Sequence, residues 1–501
     1  MVGEGMNLMA AIRVPLFCKA LVAGVALIRL TACGGGSSGS PSSGFNPTGP
    51  TAQIVLTTGD QSKLLAPQAG ATFGIGGSEN STVITVNEAT QYQPIDGFGA
   101  SLTDSSAWLI ANKLTSAQQT ALMQQLFSPT SGIGLSFLRQ PMGASDFAVN
   151  GNYSYDDVPA GQTDPQLVDF SIAHDTTYII PLLQQALTLN PNAKVMALPW
   201  SPPAWMKASG TMNGGNFNTT YSSSLAQYFV RFLQAYQQAG VPVYAIAVQN
   251  EPLNSTASYP SESLSASDES DFIANDLGPA LGTAGLGAVK IFGYEHNWDN
   301  TGYPQTVLSG SAGTYVAGSS FHCYAGDVSG QSVVEAAYPS KGIWFTECSG
   351  SVGSNFGGDL VWNAHNLLIG ATRNWARSIS LWNLALDQTS GPQNGGCPNC
   401  RGVVTIDTST SQATISNNVE YYALGHLSKF VVPGAHRIDS NTFGSGGIED
   451  VAFQNPDGTI VLVVLNGGNA SRAFAVSWKG TYFNYSLAGQ SIATFTWKPG
   501  P

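Results

Sequence analysis

Ala245-Ile246-Ala247-Val248-Gln249-Asn250-Glu251-Pro252 is an apolar run that stops abruptly on an amide and a carboxylate. Ile343-Trp344-Phe345-Thr346-Glu347-Cys348-Ser349 repeats the form later in the chain. Short apolar runs bounded by turn residues read as buried strands of a parallel sheet. Working outward, the same texture recurs at residues 95–100, 135–141, 194–199, 243–249, 289–294, 319–324, 342–346 and 378–383. Helical patterns lie between them. Thr115 with Gln118 makes a capping box, Leu122 and Leu126 share a face, and Ala226, Phe229, Val230 and Leu233 form a stripe that Gly240 ends. Eight strand–helix units predict an α/β fold, a (β/α)8 TIM barrel over residues 94–416, whose reactive groups sit at the strand C-termini. A doubly wound open sheet is the rival, but no glycine-rich nucleotide loop supports it.

Both flanks of the barrel region are β-rich. Residues 51–93 contain Ile54-Val55-Leu56 and Thr82-Val83-Ile84-Thr85-Val86, while residues 417–501 read as all-β around the hairpin turn Asn455-Pro456-Asp457-Gly458. Together they predict a β-sandwich assembled from the two ends of the chain. Residues 1–33 read as a lipoprotein-type signal peptide, with Arg13 and Lys19 before an apolar run and Leu30-Thr31-Ala32-Cys33 at its end. On this reading Cys33 carries lipid, and residues 34–50 form a flexible Gly/Ser/Pro tether. The expected location is outside the cytoplasm, as a bacterial cell-envelope lipoprotein or a secreted protein. The only membrane contact expected is that anchor. Arg29 departs from the signal pattern, and an ordinary secretory signal is the alternative.

Hydrophobic residues make up 43% of the chain and charged residues 10%, enough apolar material for a large core. The net charge of −12, without Lys/Arg clusters, excludes a nucleic-acid surface. No obligate protein partner is evident. Cys323, Cys348, Cys397 and Cys400 remain beyond the signal, an even number compatible with disulfides in an oxidising compartment. Cys397-Pro398-Asn399-Cys400 reads as a local loop staple rather than a redox or zinc half-site, because no second pair of this spacing accompanies it.

The chemistry follows from the two strand-end glutamates. Strands four and seven of a closed barrel lie on roughly opposite sides of its mouth, so Glu251 and Glu347 face each other. Retaining glycosidases need two carboxyl groups about 5–5.5 Å apart, one to attack the anomeric carbon and one to protonate the leaving oxygen and then activate water. Asn250, directly before Glu251, is placed to hold a sugar 2-hydroxyl. Neither metal nor cofactor is expected. At neutral pH Glu347 is expected ionised and Glu251 protonated through an upward-shifted pKa, giving a bell-shaped pH–rate profile.

Longer strings accompany the pair: Gly97-Phe98-Gly99-Ala100 with Thr103-Asp104, Leu138-Arg139-Gln140-Pro141-Met142 with Asp146-Phe147, and Trp200-Ser201-Pro202-Pro203-Ala204-Trp205-Met206-Lys207. Gln249-Asn250-Glu251-Pro252, Glu347-Cys348-Ser349-Gly350 and Trp382-Asn383-Leu384-Ala385-Leu386 complete the set. With these the chain resembles glycoside hydrolase family 30, the family of glucosylceramidase and endo-β-1,6-glucanase. The resemblance implies retention, with Glu251 as acid/base and Glu347 as nucleophile. It also implies that Asp146 and Trp200 bind the outer hydroxyls, Asn250 the 2-hydroxyl, and that Trp382 is the floor under the ring. Arg139 is implied beside the nucleophile, keeping it ionised. His322, Tyr324 and Tyr259 are further candidates near the pocket. Cys323 stands where glucosylceramidase has an aromatic residue, and Cys348 follows the nucleophile. These two lie on neighbouring strands, within reach of a disulfide across the rim. The expected substrate is a β-glucoside or β-glucan. A β-xylosidase or xylanase of the same family, and a non-catalytic carbohydrate-binding surface lipoprotein, are the alternatives.

Overall fold

The computed structural model describes residues 44–499. The signal segment, the lipidation candidate Cys33 and the first part of the expected tether lie outside the described residues. Eight parallel strands close into a barrel: β1 (Gly97–Ser101), β2 (Phe137–Pro141), β3 (Lys194–Leu198), β4 (Val243–Ala247), β5 (Lys290–Asn297), β6 (Val316–His322), β7 (Gly342–Glu347) and β8 (Ala376–Leu381). The last strand returns to the first, pairing Ser378 with Gly97 and Leu381 with Ala100. The predicted TIM barrel is therefore the observed one. β6 ends earlier than its apolar texture suggested, so Tyr324 lies beyond the ladder. Gly318 lets β6 close on β7, since a Cβ there would sit 1.9 Å from the Gly342 carbonyl oxygen.

Alternation along each strand sorts the side chains into two layers. Phe137, Met196, Leu198, Ala245, Ala247, Phe292 and Trp344 point inward and fill the barrel. Leu138, Val195, Ile246, Ile291, Ile343 and Ile379 point outward and pack beneath the helices. At the N-terminal end of the barrel, Asp96 accepts hydrogen bonds from Lys194 Nζ (2.5 Å), Tyr244 OH (2.9 Å) and Trp344 Nε1 (2.8 Å). That end is a paired network. The open chemistry is left to the opposite mouth.

The second domain is a closed ladder of nine strands drawn from both chain ends. Asn46–Thr58 pairs antiparallel with Ser491–Trp497, and Val83–Pro94 runs antiparallel to His436–Ser440 and parallel to Arg472–Trp478. Its interior holds Phe73, Trp478, Phe483, Phe495 and Trp497. The strand Ile460–Asn466 is buried on both faces. Ile460, Leu462 and Val464 enter this interior, while Val461, Val463 and Leu465 pack into the barrel's outer layer. That two-sided burial explains its uninterrupted apolar run.

Two expectations need correction. Residues 46–50, assigned to the tether, belong to the strand Asn46–Thr58, because Asn46 and Pro47 already pair with Ile75 and Gly74. The 417–501 segment is not all-β, since it opens with the helix Val419–Ser428. This helix is wedged between barrel and second domain and buried around most of its circumference, so it carries no amphipathic stripe to betray it.

His426 on that helix joins the two chain ends. Thr494 Oγ1 donates to the His426 carbonyl, so it accepts from Nδ1–H (2.9 Å), and Nε2 accepts from Thr57 Oγ1 (2.8 Å). Burial drives its pKa down to about 3, against about 6.5 for a free imidazole. The folded state thus resists charging this ring. Its contribution to stability is fully present above about pH 6.5 and is lost as the pH falls towards the folded value, with a limiting slope of about 1.4 kcal/mol per pH unit. The melting temperatures of wild type and His426→Gln are expected to converge as the pH falls from about 7 to about 5. Parallel curves across that window would assign the acid sensitivity to another group.

Candidate active site

The C-terminal ends of the barrel strands surround a cavity of about 700 Å³ whose lining includes Asp146, Trp200, Asn250, Glu251, Tyr259, Glu347 and Trp382. Behind its wall stands Arg139, the middle residue of β2, which is fully buried. Its Nε donates to Glu295 Oε1 (2.9 Å), one terminal nitrogen to Glu347 Oε2 (2.7 Å) and the other to Asn250 Oδ1 (2.6 Å). The guanidinium also lies 4.8 Å from the Trp200 ring and 5.4 Å from that of Trp382, which stack on each other at 4.9 Å. One planar cation therefore sets four strand ends and an aromatic wall in register.

Glu347 ends β7, and its second oxygen accepts from Tyr324 OH at 2.8 Å. Glu251 stands just beyond β4 with φ +46°, an uncommon backbone for a residue with a side chain. Its amide donates to the Glu295 carbonyl (3.0 Å), which holds the turn. Its carboxylate accepts from Asn254 Nδ2 (2.7 Å) and lies 3.2 Å from His322 Nδ1. Asn254 also donates to Tyr259 OH (3.0 Å), which brings Tyr259 into the same chain of contacts. One oxygen of Glu251, one of Glu347 and a ring nitrogen of His322 lie within 4.8 Å of one another, the one group of three such ligand atoms found among the described residues. All three side chains are already engaged, with Asn254, Tyr324, Arg139 and Glu295 as partners.

All the substrate-binding candidates read from the sequence line this site or touch a residue that does. Asp146 is half-buried in the wall with Oδ1 unpartnered, and desolvation, then the nearby Glu347 and Glu251, hold its carboxyl well above the usual range. Cys323 pairs with Cys348, and Cys397 with Cys400. The 394–400 loop is latched to the β2 loop by Asn394 N–H donating to the Asp146 carbonyl (2.8 Å). A Cβ on Gly396 would meet Phe147 Cε2 at 2.6 Å, so only glycine allows that approach.

Sequence reasoning missed Glu295 and His296, both at the end of β5. Glu295 is fully buried, bonds Arg139 and Thr346 Oγ1 (2.9 Å), and lies 3.3 Å from His322 Nε2. His296 Nδ1 lies 3.9 Å from Glu251. The signal was present, since Glu295 directly follows the apolar run predicted for strand five.

The protonation expected of Glu251 is not the one found in the unliganded pocket. Burial raises Glu251, but the hydrogen bond and charge of His322 override it and leave the carboxyl at about 2. Burial likewise opposes the His322 cation, but Glu347, Glu251 and Glu295 bring it up to about 9. Glu347 is raised by burial, only partly offset by His322 and Arg139. The earlier expectation treated two carboxylates as an isolated pair. The imidazolium beside Glu251 keeps that carboxyl ionised.

Two carboxylates opposed across a barrel mouth, beside stacked tryptophans and without a nucleotide-binding loop, define a glycoside hydrolase. The comparisons narrow this to one family. Residues 95–431 match the glycosyl hydrolase family 30 TIM-barrel domain, and residues 434–495 match its β-sandwich domain. An endo-1,6-β-D-glucanase of Neurospora crassa is 37% identical over 83% of this chain and 92% of its own. The lysosomal acid glucosylceramidase of Mus musculus is 30% identical over 83% of each chain. A solved endo-β1,6-glucanase superposes with a TM-score of 0.82 at 32% identity, covering 90% of this chain and 100% of its own. The chain belongs to glycosyl hydrolase family 30.

Glu295→Gln tests the cluster. Removing that charge withdraws support from the His322 cation, so the alkaline limb of kcat/KM is expected to move to lower pH. Loosening Arg139 should also cost kcat about 10²-fold. An unmoved limb with kcat intact would show that Glu295 only fills space.

Proposed function

We propose that the protein hydrolyses β-linked glucosides with retention of configuration, and that β-1,6-glucan is its polymeric substrate. The observation that carries this is the close approach of Glu251 and Glu347 across a pocket walled by the Trp200–Trp382 stack. Two carboxyl groups this close leave no room for a water between them and the sugar, as inversion would need. The greater identity to the Neurospora crassa endo-1,6-β-D-glucanase than to the mouse glucosylceramidase supports the choice of substrate.

Glu347 attacks the anomeric carbon. Arg139 and Tyr324, one on each oxygen, aim its carboxylate and stabilise the charge it carries. Glu251 delivers a proton to the leaving oxygen and then takes one from water. In the free site that proton rests on His322, 3.2 Å from the Glu251 carboxylate. A bound sugar excludes water from the Glu251–His322 pair, and low polarity favours the neutral pair over the ionic one. The proton then shifts to Glu251 as the substrate settles. Asn250, oriented by Arg139, meets the 2-hydroxyl, and the Asp146 carboxyl, with its free oxygen, meets an outer hydroxyl.

The protein is proposed to act outside the cytoplasm, with Cys33 as the site of a lipid anchor. The signal-like residues 1–33 and the two disulfides support this. A glucosylceramidase-like preference for glucosides with an apolar aglycone is the second reading, favoured by the mouse relative.

Product analysis on β-1,6-glucan and on an aryl β-glucoside separates these readings. Wild type is expected to release gentio-oligosaccharides whose new reducing ends are first β. Glu347→Ala should abolish that release, with a loss of about 10⁴-fold or more. Glucose from the aryl glucoside alone would replace the glucan reading with the second one, and xylose release from xylosides would displace both. Glu251→Ala should keep substantial glycosylation of a dinitrophenyl glucoside, whose leaving group needs no proton, while losing the glucan. Equal losses on both substrates would remove Glu251 from the acid role.

A further inference from the structure

On the helix-shell side of the barrel a second cavity, of about 240 Å³, lies under the loop that follows Glu251. Its apolar lining includes Phe217, Leu225, Leu264 and Phe272, and the Phe217 and Phe272 rings stand 6.3 Å apart, inclined at 63°. Its polar lining is one-sided: Glu262, Asp268, Asp271 and Asp276 contribute, and no Lys, Arg or His does. Asp268 is bonded to Ser265 and Asp276 to Ser223, hydroxyls that leave both charges uncompensated.

Glu262 makes this more than an acidic patch. It is only 2% exposed, and its Oε2 has no hydrogen-bond partner. Lys207 is the nearby cation, but its ammonium has three donors and all are in use. They go to Ser201 Oγ (3.3 Å), the Met212 carbonyl (2.9 Å) and the Ser261 carbonyl (2.6 Å). A buried carboxyl without a partner is costly. Glu262 lines the cavity, so a donor for it has its place there. The helix beside it is wound open into a π-turn, Ile273–Leu277, where Gly278 N–H reaches back to the Ile273 carbonyl. Such turns are frequent at functional sites, and this one supplies Asn275 and Asp276 to the lining.

We propose that this cavity binds a small organic monocation, a primary ammonium on an aromatic or alkyl body. The ammonium donates to Glu262, the body packs against Phe217, Phe272 and Leu225, and the rim aspartates supply the attracting field. A hard divalent ion fits poorly, because it needs several converging oxygens and these carboxylates form no such group among the described residues. This inference is independent of the glycosidase reading.

Benzylammonium chloride and its uncharged counterpart benzyl alcohol are the probes, titrated calorimetrically into the full chain. Benzylammonium is expected to bind saturably and benzyl alcohol at least about tenfold more weakly. Glu262→Gln should weaken the ammonium by about tenfold, and Leu225→Trp should fill the cavity and abolish binding, both with hydrolysis of an aryl glucoside retained. Asp271→Asn, an exposed change without folding risk, should weaken it about threefold. Equal binding of the two probes, or ammonium binding untouched by Glu262→Gln, would overturn the proposal. So would binding that survives Glu262→Gln but is lost in Glu347→Gln, which would put the cation in the catalytic pocket.

Discussion

A guanidinium taken out of water must recover its hydration from fixed acceptors, and Arg139 does so with residues from three other strands. Asn250 follows β4, Glu295 is on β5 and Glu347 ends β7, all within 2.6–2.9 Å of its nitrogens. Its donors lie in one plane with a rigid fork, so these acceptors must converge on that plane. The stacked tryptophans then cover it from the side. Each partner also lines the pocket or bonds a residue at its rim. The electrostatic requirement of one buried cation is therefore the geometric specification of the pocket. Lysine could not substitute, because a point charge on a flexible stem specifies no plane.

That convergence is held by strained backbone. Glu251, Tyr294, Glu295 and Asn383, all at strand ends around the mouth, have φ values of +46°, +78°, +54° and +54°. Residues with side chains enter this region at a cost of order 1 kcal/mol or more, and keep it only where surroundings over-determine it. Here the Glu251 amide is tied to the Glu295 carbonyl, and the Glu295 side chain to Arg139 and Thr346. The barrel below, filled by Trp344 stacked on Phe292 at 3.9 Å, supplies the rigidity that makes such conformations affordable.

What could be read from the sequence was whatever has a local signature. Eight apolar runs, a capping box at Thr115 and glutamates at the ends of two of those runs are one-dimensional patterns, and each survives in the structure. Glu295 has the same signature at the end of the fifth run, but nothing local ties it to the other two glutamates, and Arg139 does so only in the folded barrel. The helix Val419–Ser428 was hidden for the opposite reason, since burial on nearly every side erases the periodicity that marks a helix. The placement of the proton was out of reach altogether. It depends on the summed fields of Glu251, Glu295, Glu347, Arg139 and His322, which come from five strands and meet only in the folded barrel.

The disulfide Cys323–Cys348 shows how local covalent structure serves that long-range arrangement. The last paired residues of the β6–β7 ladder are His322 and Glu347, and the next residue on each strand is a cysteine of the bridge. A parallel ladder frays at its ends, where no further hydrogen bond follows. This one ends on the imidazole that holds the proton and the carboxylate proposed to attack. Bridging the next residues prevents the two strands from separating at that point. Trp382 N–H then donates to the Cys348 carbonyl at 2.8 Å, so the stacked tryptophans are tied to the same bridge. The bridge secures the rim, and Arg139 secures the interior. Between them the two opposed glutamates have few ways to move apart.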